Sequence, residues 1–296
     1  MNKIENILKK YLKKWEIKSL IDKLEKKQRA NIMNDKYFVK VGKNTNDLFF
    51  ENLINEVSLY KENINNDNLP DLIESYVDEN LCVLVLKRIN AKTIGFERNN
   101  FNLHLSSYKR RIIIDNVLKI RNISLNNQLN NNYNRKEKLD KYLKKSKKYI
   151  SNIKYNKIIS LYDNIITEKY NRVISHGDLI STNIMFYDKN NVYFIDWEFS
   201  GMKPLYYDLA YFLLFSLYTL CFCQSIKTND SMNILIKEKK YKYIDVNEVY
   251  KDGIILCLKE IQNNAKLFGK IDDKIVNKNI DRWNRELSIL LKRIIV

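Results

Sequence analysis

Glycine and proline are scarce: six and two residues respectively in a chain of 296. A sandwich of many short strands needs a turn residue every few positions, so their scarcity favours long helices over an all-β architecture. Histidine is scarcer still, with only His104 and His176. The four cysteines, Cys82, Cys221, Cys223 and Cys257, all lie in apolar runs, where cysteine behaves as a small buried hydrophobe. On a helix, Cys221 and Cys223 point about 200° apart, which is poor geometry for a shared metal. A zinc site and a disulfide framework are therefore not expected. No apolar stretch reaches the ~20 residues that a membrane span needs. The longest, Tyr211 to Cys223, carries Ser216 and Thr219 and reads as a buried helix. The N-terminus has charges at Lys3, Glu5, Lys9 and Lys10 with no continuous apolar core, so it is not a secretory signal, and a cytoplasmic location is expected.

Lysine, asparagine and isoleucine, by contrast, are abundant, and the formal net charge is +17. Charge of this size bears on solubility and non-specific binding more than on function. The basic run Lys136 to Lys148 lacks interleaved aromatics or a recognition motif, so it reads as a solvated helix face and nucleic-acid binding is not expected. Hydrophobic residues make up 45% of the chain, enough for a globular protein with two substantial cores. Nothing in the pattern specifies an oligomeric state.

The chain is organised around Arg172 to Ala210. The apolar pair Val173-Ile174 delivers His176-Gly177-Asp178, and Asn183 follows five residues after Asp178. The runs Asn183 to Tyr187 and Val192 to Ile195 flank Asp188-Lys189-Asn190-Asn191 and read as a hairpin that brings back Asp196. Asp208 opens the next apolar helix. Phosphoryl transfer from ATP needs such a layout: one carboxylate at the acceptor hydroxyl, and a second carboxylate with a neutral oxygen to hold magnesium. The H-x-D-x-x-x-x-N spacing is that of the protein-kinase catalytic loop, and Asp196 falls where the metal-binding aspartate would.

This stretch resembles the aminoglycoside phosphotransferase and choline kinase superfamily. The wording Ile195-Asp196-Trp197-Glu198-Phe199-Ser200-Gly201-Met202, then Asp208-Leu209-Ala210, is most similar to bacterial choline kinases. The resemblance implies an α+β, bilobal protein-kinase-like fold. Residues 1–90 would form a small antiparallel-sheet lobe that binds nucleotide, and 91–296 a larger, mostly helical catalytic and substrate lobe. It implies ATP and Mg2+ as cofactors, a small-molecule alcohol as substrate, Asp178 as catalytic base, and Asn183 and Asp196 as metal ligands. His176 would brace the loop, and Asp208 would anchor it through backbone amides.

In the N-terminal part, residues 1 to 15 have helical spacing. Three strands are expected at Ile17 to Leu24, Ala30 to Met33 and Tyr37 to Val41. In the resembling family the turn between the first two covers the ATP phosphates; here Glu25-Lys26-Lys27-Gln28-Arg29 has no glycine, and Lys26, Lys27 and Arg29 stand in its place. Lys40 matches the phosphate-contacting strand lysine, with Glu56 on the following helix as its partner and Glu51 as runner-up. Leu81 to Leu86 reads as a buried strand, after which Lys87 and Ile89 lie at the expected adenine hinge.

The resemblance points to choline or ethanolamine as acceptor, with Glu198 and Trp197 facing it. A cation would want an aromatic cage, yet Trp283 is the one aromatic that stands out near the C-terminus. The competing readings are a kinase of a sugar, aminoglycoside or cell-envelope glycoconjugate, and a catalytically silent kinase-like binding module. Intact Asp178, Asn183 and Asp196 oppose silence.

Overall fold

The computed structural model describes residues 2–45, 48–94, 106–123, 133–215 and 234–295. It begins with helices α1 (Asn2–Leu8) and α2 (Lys14–Lys27), followed by strands β1 (Arg29–Met33) and β2 (Tyr37–Lys43). Helix α3 (Leu48–Glu62) and strands β3 (Leu72–Val77) and β4 (Leu81–Lys87) complete this part. The four strands form one antiparallel sheet in the order β1-β2-β4-β3.

The sheet corrects one expectation. Ile17 to Leu24 is not a strand but the middle of α2, and the turn expected at Glu25 to Arg29 is the end of that helix running into β1. The reason lies in the period: Ile17, Leu20 and Leu24 recur three and four residues apart and bury one helical face. The Glu16 carboxylate accepts the Lys13 backbone N–H at 2.6 Å, which stabilises the start. Gln28 takes a left-handed conformation, φ 60°, and its N–H returns to the Leu24 carbonyl. The expected helix over residues 1 to 15 is also shorter, and Trp15 lies on the exposed side of α2.

Alternation divides the sheet's two faces. Val39, Val41, Val83 and Val85 pack with Leu8, Leu20 and Leu24 from α1 and α2. The opposite face of β4, Cys82, Leu84 and Leu86, joins α3 in the large core. Lys40 projects to that second face, buried, towards α3.

The C-terminal part is mostly helical: α4 (Ser107–Lys119), α5 (Arg135–Ser146), α6 (Asn152–Ser160), α7 (Tyr162–Ile166), α8 (Tyr207–Phe215), α9 (Val246–Ala265) and α10 (Asp273–Arg293). Two small antiparallel pairs sit among them. The β5 strand (Val173–Ser175) pairs with β8 (Gly201–Lys203), and β6 (Ile184–Phe186) pairs with β7 (Val192–Phe194). The expected hairpin is therefore present, its turn closed by the Asp188 carboxylate accepting from the N–H groups of Asn190 and Asn191. Helix α9 is the buried centre of this part, packed by α5, α8 and α10. Arg135 of α5 is fully buried there and forks onto Asp252 at 2.9 Å while also reaching Glu248 at 2.7 Å. Of the remaining basic residues of α5, Lys136, Lys141, Lys144 and Lys145 are exposed and Lys138 is half-buried.

Among the described residues no helix is long and apolar enough to cross a membrane. Cys82 and Cys257 are buried free thiols; His104, Cys221 and Cys223 lie outside the described residues.

Candidate active site

Lys40 enters the interlobe cleft from β2 and meets carboxylates from two directions. Its Nζ lies 2.8 Å from Glu56 Oε2, 2.7 Å from Asp196 Oδ1 and 3.1 Å from Glu198 Oε2. Burial alone would lower the Lys40 pKa, but these carboxylates outweigh it and hold the amine protonated. Glu56 is the partner expected from sequence; the runner-up, Glu51, is exposed on α3. Glu56 also accepts the Trp197 backbone N–H at 3.1 Å, so one carboxylate ties α3 to both the strand lysine and the loop after Asp196.

The loop from His176 to Asn183 follows β5. Asp208, in the first turn of α8, accepts the backbone N–H of His176 at 2.7 Å and of Gly177 at 3.0 Å. His176 is fully buried; its Nε2 is 2.8 Å from the Ile195 carbonyl and its Nδ1 accepts the Asp178 N–H at 3.3 Å. Both ring nitrogens are thus engaged in holding the loop. Asp178 is half-buried, and its Oδ1 accepts from the Tyr211 hydroxyl at 2.7 Å. The Asn183 amide donates to the Asp178 carbonyl at 2.9 Å, which leaves the Asn183 carbonyl oxygen for another partner.

Two backbone conformations shape the loops. Asp196 adopts φ 67°, a left-handed conformation that is costly for a residue with a side chain. Gly177 has φ 87°, and a Cβ there would lie 2.1 Å from the Phe199 carbonyl oxygen and 2.3 Å from Lys203 Nζ. Gly177→Ala is therefore expected to cost about 1–3 kcal/mol from the conformation alone, with the contact adding to it. A lowered midpoint in urea together with reduced turnover would bear this out; a variant as stable and as active as the parent would show that the loop relaxes freely.

Several sequence expectations need correction. Trp197 does not face an acceptor: it is fully buried against the His176 ring, with Nε1 donating to the Phe194 carbonyl. Glu198 is likewise directed to Lys40 and lines the Lys40 cleft. Trp283 belongs to the core of the large lobe. At the hinge, the N–H groups of Lys87 and Arg88 are taken by the carbonyls of Asp71 and Lys36, so the Lys87 N–H is not free for a base. Ile89 follows as a half-buried residue outside the strand.

Sequence reasoning missed three contributors. Tyr211 was legible only as a core residue of an apolar helix. The aromatic cluster sought near Trp283 lies elsewhere: Tyr133, Tyr142 and Tyr207 line a cavity beside Gly177. The cleft around Lys40 and Asp196, about 480 Å3, is lined by Lys27 of α2 and Arg29 of β1, which the sequence singled out, and also by Lys23 of α2, which it did not. Lys23 and Lys27 are one helical turn apart and so share a face, a pairing hidden while this stretch reads as a strand.

The architecture is that of the protein-kinase-like phosphotransferases. The Ecdysteroid kinase-like family matches residues 84–221. A curated relative, the Protein LicA homolog of Mycoplasma capricolum subsp. capricolum, is 25% identical over 171 residues. That match covers 54% of this chain and 57% of the relative, so it spans little more than half of that protein's length. Among solved structures, choline kinase LicA from Streptococcus pneumoniae aligns with a TM-score of 0.56 at 16% identity, covering 88% of this chain and 90% of that one. The ADP-bound aminoglycoside phosphotransferase APH(2'')-Ib aligns with a TM-score of 0.55 at 15% identity, covering 95% and 99%. The Plasmodium vivax ethanolamine kinase aligns with a TM-score of 0.54 at 14% identity, covering 97% and 86%. The chain thus resembles the aminoglycoside phosphotransferase and choline kinase superfamily in both sequence and fold.

Proposed function

We propose that the protein transfers the γ-phosphoryl group of ATP to a hydroxyl of a small molecule. The observation that carries this reading is the convergence of Lys40, Glu56 and Asp196 on one cleft, next to a loop that presents Asp178 with Asn183. In this reading residues 1–90 form the nucleotide lobe and 91–296 the catalytic and substrate lobe. The donor set fits magnesium: Asp196 is partly solvated and offers carboxylate oxygen, and the Asn183 amide spends its N–H on Asp178 and so offers its carbonyl. When bound, the metal neutralises triphosphate charge.

The protein's own groups do the rest. Lys40 contacts the α- and β-phosphates, held in place by Glu56. Lys23, Lys27 and Arg29 add positive charge to the same cleft where the resembling family has a covering turn. Asp178 orients the acceptor hydroxyl and takes its proton while the hydroxyl oxygen forms the new bond to the γ-phosphorus. The electron pair of the broken bond leaves on the β-phosphate oxygen of ADP. Ile89 supplies the hinge amide for the base. Choline and ethanolamine are the acceptors suggested by the names of the relatives, and three tyrosines near Gly177 agree with such a reading; the charge of that cavity, taken up below, does not.

Asp196→Asn tests the proposal. The variant should keep its fold but lose magnesium-dependent ATP binding, measured by calorimetry, and nearly all ADP release. Unchanged turnover at saturating magnesium would remove Asp196 from the metal site.

A further inference from the structure

A cavity of about 300 Å3 borders the catalytic loop at Gly177 and the following loop at Phe199. It is separate from the Lys40 cleft, and its volume suits a small molecule. Its wall includes Tyr133, Tyr142 and Tyr207 together with three amines, Lys138 of α5, Lys203 of β8 and Lys259 of α9, and no carboxylate. Three sequence-distant elements each contribute one amine, so the charge is a property of the tertiary structure rather than of a basic run.

Lys203 is buried, and its Nζ donates to the Phe199 carbonyl at 2.7 Å. Burial lowers its pKa to about 8; Lys259 and Lys138 push the same way, while Asp208 and Asp178 oppose them. All three amines line the same cavity. Lys138 and Lys259 are half-buried, and neither forms an ion pair among the described residues. Lys259 lies over the Tyr211 ring at 5.4 Å. Of the neighbouring carboxylates, Asp208 accepts the backbone N–H groups of His176 and Gly177, and Asp178 accepts from Tyr211, while both act on the Lys203 charge. Glu248 and Asp252 are paired with Arg135, and Glu248 also with Lys251. Glu260 is buried and accepts from Asn263 at 3.0 Å; burial raises its pKa, opposed by the Lys259 charge.

A second, independent observation points to the same kind of ligand. Tyr133 lines the cavity, and its hydroxyl is buried with no hydrogen-bond partner. A buried hydroxyl is seldom left unpaired, because the lost water is not replaced. An oxygen-rich ligand would accept from it.

Resting on the kinase reading above, we infer that the acceptor is an anionic hydroxy compound, carrying a carboxylate or phosphate group that Lys138, Lys203 and Lys259 hold while its hydroxyl faces Asp178. Ring faces attract a cation, but a quaternary or primary amine in this cavity would meet three like charges at short range. An anion instead relieves their mutual repulsion and gains charge-assisted hydrogen bonds.

The test uses acceptors matched in skeleton and differing in charge: ethanolamine, ethylene glycol and glycolate; glucosamine, glucose, gluconate and glucose 6-phosphate; and choline. ADP release gives kcat/KM for each, and phosphorus NMR identifies the product. The anionic member of a series should exceed the amine by about tenfold or more, and gluconate against glucose 6-phosphate separates carboxylate from phosphate. Lys138→Gln with Lys259→Gln should raise the KM of the anionic acceptor about tenfold and leave the KM of ATP in place, a split that a merely structural role for these lysines would not produce. A preference for the amine, equal rates across charge, or an anion KM that ignores the double substitution overturns the inference. So does failure of every acceptor in a protein that binds ATP and slowly hydrolyses it, with the kinase reading left standing. Absence of both ATP binding and hydrolysis removes the kinase reading itself.

Discussion

Replacing Asp178 by asparagine is expected to lower kcat by about 10²–10⁴-fold, with the folded state retained. Asp178 is half-buried at the head of the loop, and its position is held by its own backbone and by neighbours rather than by an ion pair: His176 accepts its N–H, Asn183 donates to its carbonyl, and Tyr211 donates to its carboxylate. An amide accepts the Tyr211 hydrogen bond as the carboxylate does, so melting should move little. What the amide cannot do is take the acceptor's proton. Single-turnover measurement of ADP formation isolates this step from nucleotide binding, which should remain close to that of the parent. A variant within threefold of the parent would reassign the proton acceptor, with Glu198 excluded by its contact with Lys40.

The second large effect falls on stability as well as turnover. Lys40→Met removes the cation that pairs with Glu56, Asp196 and Glu198. Deleting one member of a buried ionic cluster leaves uncompensated charge and costs about 3–5 kcal/mol. Most of that belongs to Glu56 and Glu198, whose side chains are 2% and 10% exposed, whereas Asp196 at 43% retains water. The penalty should depend on pH. Burial raises the Glu56 pKa in the folded state, opposed in the parent by Lys40. Without that opposition the folded-state value lies further above the unfolded one. The penalty is then fully present at pH above the folded value, and it fades as the pH falls towards the unfolded carboxylate value, where Glu56 is neutral in both states. Urea unfolding of parent and variant at pH 7.5 and pH 5 checks this: the stability difference should be smaller at pH 5. A difference that grows on acidification would mean that the carboxylates are not what Lys40 neutralises. Turnover of the variant should be lost at both pH values, because in the proposed reaction Lys40 contacts the phosphates.

The residues that meet at the candidate site were legible because their signals are local. His176, Asp178 and Asn183 sit on one short loop with fixed spacing, and Asp196 returns through a hairpin whose turn residues announce themselves. Lys40 could be placed because strand alternation sets it apart from Val39 and Val41, and Glu56 because helix α3 follows directly. The misreading of Ile17 to Leu24 has an equally local cause. A short apolar segment between lysines satisfies strand and helix templates alike, and packing on Val39, Val41, Val83 and Val85 selects the helix.

By itself, then, the sequence determined the members of the candidate site: Asp178, Asn183 and Asp196 on neighbouring loops, and Lys40 with Glu56 opposite them. The tertiary structure alone decided what surrounds that centre. Trp197 and Glu198 follow Asp196 in the chain, yet the backbone at φ 67° sends one into the core and the other to Lys40. The cavity at Gly177 draws Tyr133, Lys138, Lys203, Tyr207 and Lys259 from helices and a strand far apart in sequence. Short-range spacing encodes groups that must act together on one atom. The wall of a pocket is set by helix packing, where a lysine's meaning depends on what stands opposite it.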